Sequence, residues 1–147
     1  MAQVCLLGEP GSDLRYELLS RETAREALST YDLREPYANS LALDTVSIGA
    51  AVSLLNDLNW YLVRFARTAL VQSDSVSETE WLSRDLAILI RDGHVDPDVT
   101  GGFLKVYGLE DGRPEDPTFV QRQGDWTPER EGYDDVLVVR VTEEEFE

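Results

Sequence analysis

The sequence predicts an α+β domain. It is a two-layer arrangement: a small, mostly antiparallel sheet with its terminal strands paired, covered by about three helices, one of them long and central. Three observations carry this. Apolar runs lie near both ends, Q-V-C-L-L-G at 3–8 and D-V-L-V-V-R-V-T at 135–142, the second rich in β-branched residues. Between them, residues 47–72 place Ile48, Ala51, Val52, Leu55, Leu58, Leu62, Phe65, Ala69 and Leu70 on one stripe of a helix. Strands at the ends and helices between bury their apolar faces most simply as a sheet with helices on one side.

In chain order, 3–8 reads as a central strand, followed by the turn signal E-P-G-S at 9–12. Ser12 and Asp13 resemble a helix cap, and strong helix formers follow. One helix over 13–31 is expected, with Ala24, Ala27, Leu28 and Tyr31 as its stripe. The alternation of Leu14, Tyr16 and Leu18 leaves open a strand followed by a helix capped at Ser20.

Residues 33–40 contain Pro36 and Asn39 and read as a connection. Residues 40–46 fit two readings. Leu41, Leu43 and Thr45 alternate like a strand, yet Leu41 lies seven before Ile48 and could start the long helix early. Residues 73–76 are a polar break. S-E-T-E at 77–80 has the form of a capping box, followed by Leu82, Leu86, Leu89 and Ile90 at helical spacing, with Gly93 as the stop. Asp96 and Pro97 can begin one short helical turn. Residues 103–107 read as a strand, 110–117 as a loop, and 118–122 as a short strand. Residues 123–134 read as a loop anchored by Trp126 and Tyr133, 135–142 as the clearest strand, and 143–147 as an acidic tail.

The 147 residues are expected to form one domain: a core over 3–109, a loop-rich part over 110–134, the terminal strand and the tail. A chain of this size buries about 70% of its unfolded surface, enough for a core without staples. Cys5, the single cysteine, allows no internal disulfide, and its apolar neighbours predict a small buried hydrophobe. No apolar run approaches the roughly 20 residues that span a bilayer, and the first residues lack the basic start of a signal peptide. The expectation is a cytoplasmic protein that does not contact membranes.

Charge is the strongest global signal. There are 29 Asp plus Glu against 13 Lys plus Arg, a net of −16, and Lys105 is the only lysine. Such a surface repels itself in dilute buffer. At 1 M salt the Debye length is about 3 Å, and the repulsion is screened. Acid excess together with lysine loss predicts a salt-adapted protein. The same balance argues against generic nucleic-acid binding, which depends on Lys and Arg neutralising phosphates.

Three runs carry a resemblance: L-L-S-R-E-T-A-R-E-A-L at 18–28, S-L-L-N-D-L-N-W-Y-L-V-R-F at 53–65 and E-W-L-S-R-D-L at 80–86. The chain resembles an uncharacterised family of small acidic haloarchaeal proteins with no assigned function, over most of 3–108. The resemblance implies a salt-adapted archaeal cytoplasm. It supplies no activity and no site residue.

Motifs with chemical meaning are few. D-P-D-V-T-G at 96–101 has the form of a phosphotransfer aspartate loop and the opening of a calcium loop. The first needs an apolar strand before Asp96, where a helix end and His94 stand instead. The second needs a bidentate carboxylate at its twelfth position, which is Tyr107. A capped turn is the simpler reading. One histidine and one cysteine cannot make a His/Cys zinc set, and no G-x-S-x-G surrounds a serine. No cofactor is expected.

The polar side of the long helix is the best candidate surface. Asn56, Trp60, Arg64 and Arg67 fall at steps of four, four and three and share a face. Trp and Arg are typical of binding hot spots. Trp81 and Arg84 repeat the combination on the next expected helix, so the two faces could frame one groove. The simpler reading pairs the arginines with surplus acids and packs Trp60 under a loop. The leading expectation is a non-catalytic binding or adaptor domain using these Trp/Arg faces, with a protein partner or a small anionic ligand. The alternatives are a metal- or nucleotide-dependent enzyme using Asp96 and Asp98, and a structural subunit of a larger complex. The oligomeric state is left open.

Overall fold

The computed structural model describes residues 1–123 and 135–146. The loop expected over 123–134, with Trp126 and Tyr133, lies from 124 onward outside the described residues. The architecture is α+β, built on a mostly antiparallel open sheet of eight strands with six α-helices among the described residues. Both counts exceed the expected small sheet and three helices.

The first strand, β1 (Ala2–Gly8), lies between β2 (Ser40–Thr45) and β3 (Ala66–Ser73). Val4 pairs with Leu43 on one side and Val71 on the other, both antiparallel. Its central position explains an apolar run with no alternation: neighbouring residues are buried on opposite faces. The sheet continues through β4 (Trp81–Ser83), β8 (Asp135–Arg140), β5 (Phe103–Glu110) and the two-residue β6 (Arg113–Pro114), while β7 (Thr118–Gln121) also pairs β5. The terminal strands β1 and β8 are therefore not paired. They are separated by β3 and β4.

The long central helix is corrected. Its first part is α3 (Ile48–Asp57), capped by the Ser47 hydroxyl, which accepts from Ala50 N at 3.1 Å. A break at buried Leu58 leads into α4 (Asn59–Phe65). From Ala66 the chain becomes extended and enters the sheet as β3. Ala69, Leu70 and Val71 are all buried, the outer two among the helix-side residues and Leu70 on the opposite face. A strand covered on both faces presents consecutive apolar residues, so Ala69 and Leu70 fitted the helical stripe equally well.

One further helix is split and another starts later than expected. The single helix over 13–31 is α1 (Leu14–Leu19), capped by Asp13, then α2 (Glu22–Leu28), with the break at Ser20 and Arg21. The S-E-T-E run caps no helix. Ser77 Oγ accepts from Thr79 N and Glu80 N, shaping a turn, and the chain passes through β4. The helix α5 (Arg84–Arg91) is capped by Ser83 instead and ends at Gly93, whose φ of +75° suits glycine. The acidic tail is also structured: α6 (Glu143–Phe146) folds back with Phe146 against Phe103.

The helices pack Leu14, Leu55, Leu58 and Leu86 onto Val4, Leu6, Val71 and Leu82 on one sheet face. The reverse face is closed mainly by the far half of the sheet, with Phe146 of α6 added at its edge. Cys5, Leu7 and Leu70 share a cluster with Tyr107, Leu137 and Val139 from the far half of the sheet. Two hydrogen bonds close the curl: Ala38 N donates to Gly112 O at 2.8 Å, and Arg67 Nη1 donates to Pro114 O at 3.0 Å.

Candidate functional site

The six residues expected to form a binding surface separate into three places, because the helix that was to align them ends at Phe65. Trp60 and Arg64 remain one turn apart on α4. The Arg64 guanidinium lies 3.7 Å from the Trp60 ring centroid, and its Nη1 donates to Trp60 O at 2.6 Å. The ring is 51% exposed despite this, and Val63 beside it is 71% exposed. Tyr61 meets the indole edge-on at 5.1 Å. Arg21, at the break between α1 and α2, adds a second cation 5.8 Å from the Trp60 ring and 4.9 Å from Phe65, while its Nη2 pairs with Glu17 at 3.0 Å. Sequence reasoning missed Arg21 and Val63; the Glu17/Arg21 spacing of four was the one local signal for the first.

Asn56 and Arg84 do come together. Arg84 Nη2 donates to Asn56 Oδ1 at 3.1 Å and its Nη1 to Asn59 Oδ1 at 2.7 Å. This fastens the start of α5 to the junction between α3 and α4, one residue before Trp60. Burial lowers the Arg84 pKa from its ordinary value, with the neighbouring Asp85 opposing the shift. Burial disfavours the charged form, and a nearby carboxylate favours it.

Arg67 and Trp81 lie elsewhere. The register of β1 and β3 skips Arg67, with Leu7 opposite Thr68 and Gly8 opposite Ala66. This bulge turns Arg67 to the concave face, where its guanidinium carbon sits 5.0 Å from the Tyr107 ring. Its two terminal nitrogens bond the carbonyls of Pro114 and Glu115. Trp81 is buried in the concave cluster. The pairing of Trp81 with Arg84 assumed one helix, and the strand β4 puts the two residues on different elements.

The Asp96 loop is a capped turn. Asp96 Oδ1 accepts from Asp98 N at 2.9 Å and opens a 3₁₀ turn, Pro97–Val99, while Thr100 Oγ1 donates to Pro97 O at 2.7 Å. Tyr107, at the twelfth position of the calcium pattern, is fully buried on β5. Among the described residues no group of three or more His, Cys, Asp or Glu converges in a way that could hold a metal ion. No described helix is long and apolar enough to cross a membrane.

The arrangement on α4 offers a flat aromatic surface, a stacked guanidinium and an aliphatic neighbour, which is chemistry for recognition. No curated protein and no solved structure matches the chain. Residues 2–109 match the model of a family of unknown function, DUF5804, and that span runs from β1 through nearly all of β5, including α4. With nearly three quarters of its length matched, the chain belongs to the DUF5804 family of unknown function.

Proposed function

We propose that this is a non-catalytic protein-binding domain of a salt-rich cytoplasm, with its contact surface on α4. The observation that carries the reading is Trp60, half exposed beside Val63 and already stacked by Arg64. Trp and Arg dominate binding hot spots because each offers a large contact area with a directional polar group. The stack holds both side chains before any partner arrives, which lowers the entropy lost on binding. Arg21, paired with Glu17, brings a second guanidinium to the ring beside Arg64 on a chain of net charge −16. A partner presenting a carboxylate next to an apolar side chain suits it best. The acid excess and the single lysine support the salt-rich setting.

The test is a Trp60→Ala/Arg64→Ala double variant used as bait beside the wild type in about 2 M KCl, where surface attraction is screened. The reading expects specific partners to vanish from the variant while its circular dichroism is unchanged. An identical set of captured proteins removes α4 as the contact surface.

A further inference from the structure

An open groove of about 830 Å³ runs between α5, the 3₁₀ turn and α6, remote in sequence from Trp60. Its lining is largely apolar, with Leu89 of α5, Val95 and Phe103 of β5 half-buried. Val99 is 74% exposed, so a large aliphatic side chain stands in water at the mouth. Among the described residues, every charged residue lining the groove is acidic. Asp85 stands on the α5 wall, and Glu143 and Glu144 stand on the α6 wall. None of these three belongs to an ion pair among the described residues.

The walls are fixed by contacts that do not use those carboxylates. Glu145 is the α6 residue that does the holding: its Oε2 accepts from Ser83 Oγ and from Thr142 N, both at 2.7 Å. Phe146 packs on Phe103 at 5.0 Å between centroids. The turn wall is tied down by Arg140, whose Nη1 donates to Thr100 Oγ1 at 3.0 Å. Ordering this groove for a ligand therefore requires little further rearrangement.

We propose that the groove binds an amphipathic peptide segment of a partner protein, one carrying Arg or Lys beside an apolar strip. The volume falls in the range of ligand sites. Carboxylates from both α5 and α6 beside an apolar lining match cations beside an apolar stripe, the pattern an amphipathic helix presents. Complementary charge sets partner choice and orientation, and the apolar lining supplies the burial that survives in salt. The groove shares no residue with the α4 surface, so either proposal can fail alone.

The probe is a short fluorescent peptide with leucines at helical spacing flanked by arginines, titrated into the full chain in about 1 M KCl. Controls are the same peptide with its leucines replaced by serine, the same peptide with its arginines replaced by glutamate, and tetrabutylammonium alone. We expect saturable binding of the first peptide, at least about tenfold weaker binding of both altered peptides, and amide shifts at Leu89, Val99 and Phe103 in NMR spectra. Glu143→Lys/Glu144→Lys, and independently Val99→Arg, should each weaken binding about tenfold with unchanged circular dichroism; all three positions are exposed, so their replacement leaves the core intact. Equal binding of the serine peptide, shifts scattered outside the groove, competition by tetrabutylammonium at equal strength, or no binding of the leucine–arginine peptide would each overturn the proposal.

Discussion

Glu80 and Arg140 lock the parallel strand pair of the sheet. Glu80 Oε1 accepts from Arg140 Nε at 2.8 Å, directly before β4 and at the last residue of β8, the two strands that run parallel. Arg122 Nη2 reaches the other carboxylate oxygen at 2.6 Å. One carboxylate thus joins a turn, the end of β7 and the end of β8, so the far half of the sheet is fastened to the near half. Burial opposes ionisation of Glu80, but the hydrogen bonds from Arg140 and Arg122 outweigh it and hold its pKa below the ordinary glutamate value.

Glu80→Gln should therefore destabilise the protein by about 1–3 kcal/mol, the range for a hydrogen bond to a charged group lost away from water. The sign of the pH effect follows from the lowered pKa. The ionised form is favoured by folding, so this stability is present above the unfolded value near 4.5 and is lost as pH falls through the folded value. The difference in denaturant midpoint between wild type and variant should shrink as pH is lowered below 4.5. A difference independent of pH would mean that the carboxylate charge contributes nothing.

Gly101→Ala tests the same corner. Gly101 has φ +100°, and a Cβ there would lie 3.3 Å from the Arg140 guanidinium carbon. Left-handed backbone costs a non-glycine residue about 1–2 kcal/mol. The variant should lose at least that much in urea unfolding, and the loss should be partly shared with Glu80→Gln in a double-mutant cycle, since both act on Arg140.

The two tryptophans of the expected surface should behave unlike each other. Trp81→Ala opens a cavity in the concave cluster and should cost about 3–5 kcal/mol. Trp60→Ala removes a half-exposed ring and a surface cation–π contact, and should cost about 1 kcal/mol or less. Chemical denaturation of the two variants gives the comparison directly.

Cys5 is fully buried on the concave face, and burial pushes its thiol up to about 12, with Arg34 opposing the shift. At neutral pH the thiolate that would react is essentially missing and the sulfur is shielded. A thiol reagent at pH 8 should label the folded chain only on the timescale of unfolding, and promptly in urea. Fast labelling under native conditions would show that the sheet opens.

Melting temperature should rise between about 0.1 and 2 M KCl, because the Debye length falls from about 10 Å to under about 3 Å and the repulsion of a −16 chain is screened even between neighbouring charges. A melting temperature that does not move would remove the salt-adapted reading.

Several elements were legible from local pattern alone. The strands at both ends, the Phe103 strand, the Asp96 turn, the Gly93 stop and the burial of Cys5 each rest on residues within a few positions of one another. The amphipathic stripe correctly reported that Leu55, Leu58 and Leu62 are core. It could not report where the helix ends, for Ala69, Leu70 and Val71 are apolar for a reason outside the segment: β1 on one side, with covered faces above and below. Ser77 showed the same limit. Its hydroxyl satisfies the backbone N–H three residues on, as a cap does, but the helix belongs to Ser83.

Sequence by itself determined the fold class, the apolar inventory and the charge, since each is a sum over residues or a short-range periodicity. Tertiary structure alone decided that β3 and β4 stand between the two terminal strands, that Arg67 turns inward at a bulge while Arg64 stacks on Trp60, and that four acidic residues from α5 and α6 line one largely apolar groove. Those outcomes depend on which strand edge captures which segment. That choice is settled by ladder hydrogen bonds and packing between residues far apart in the chain, which no local period encodes.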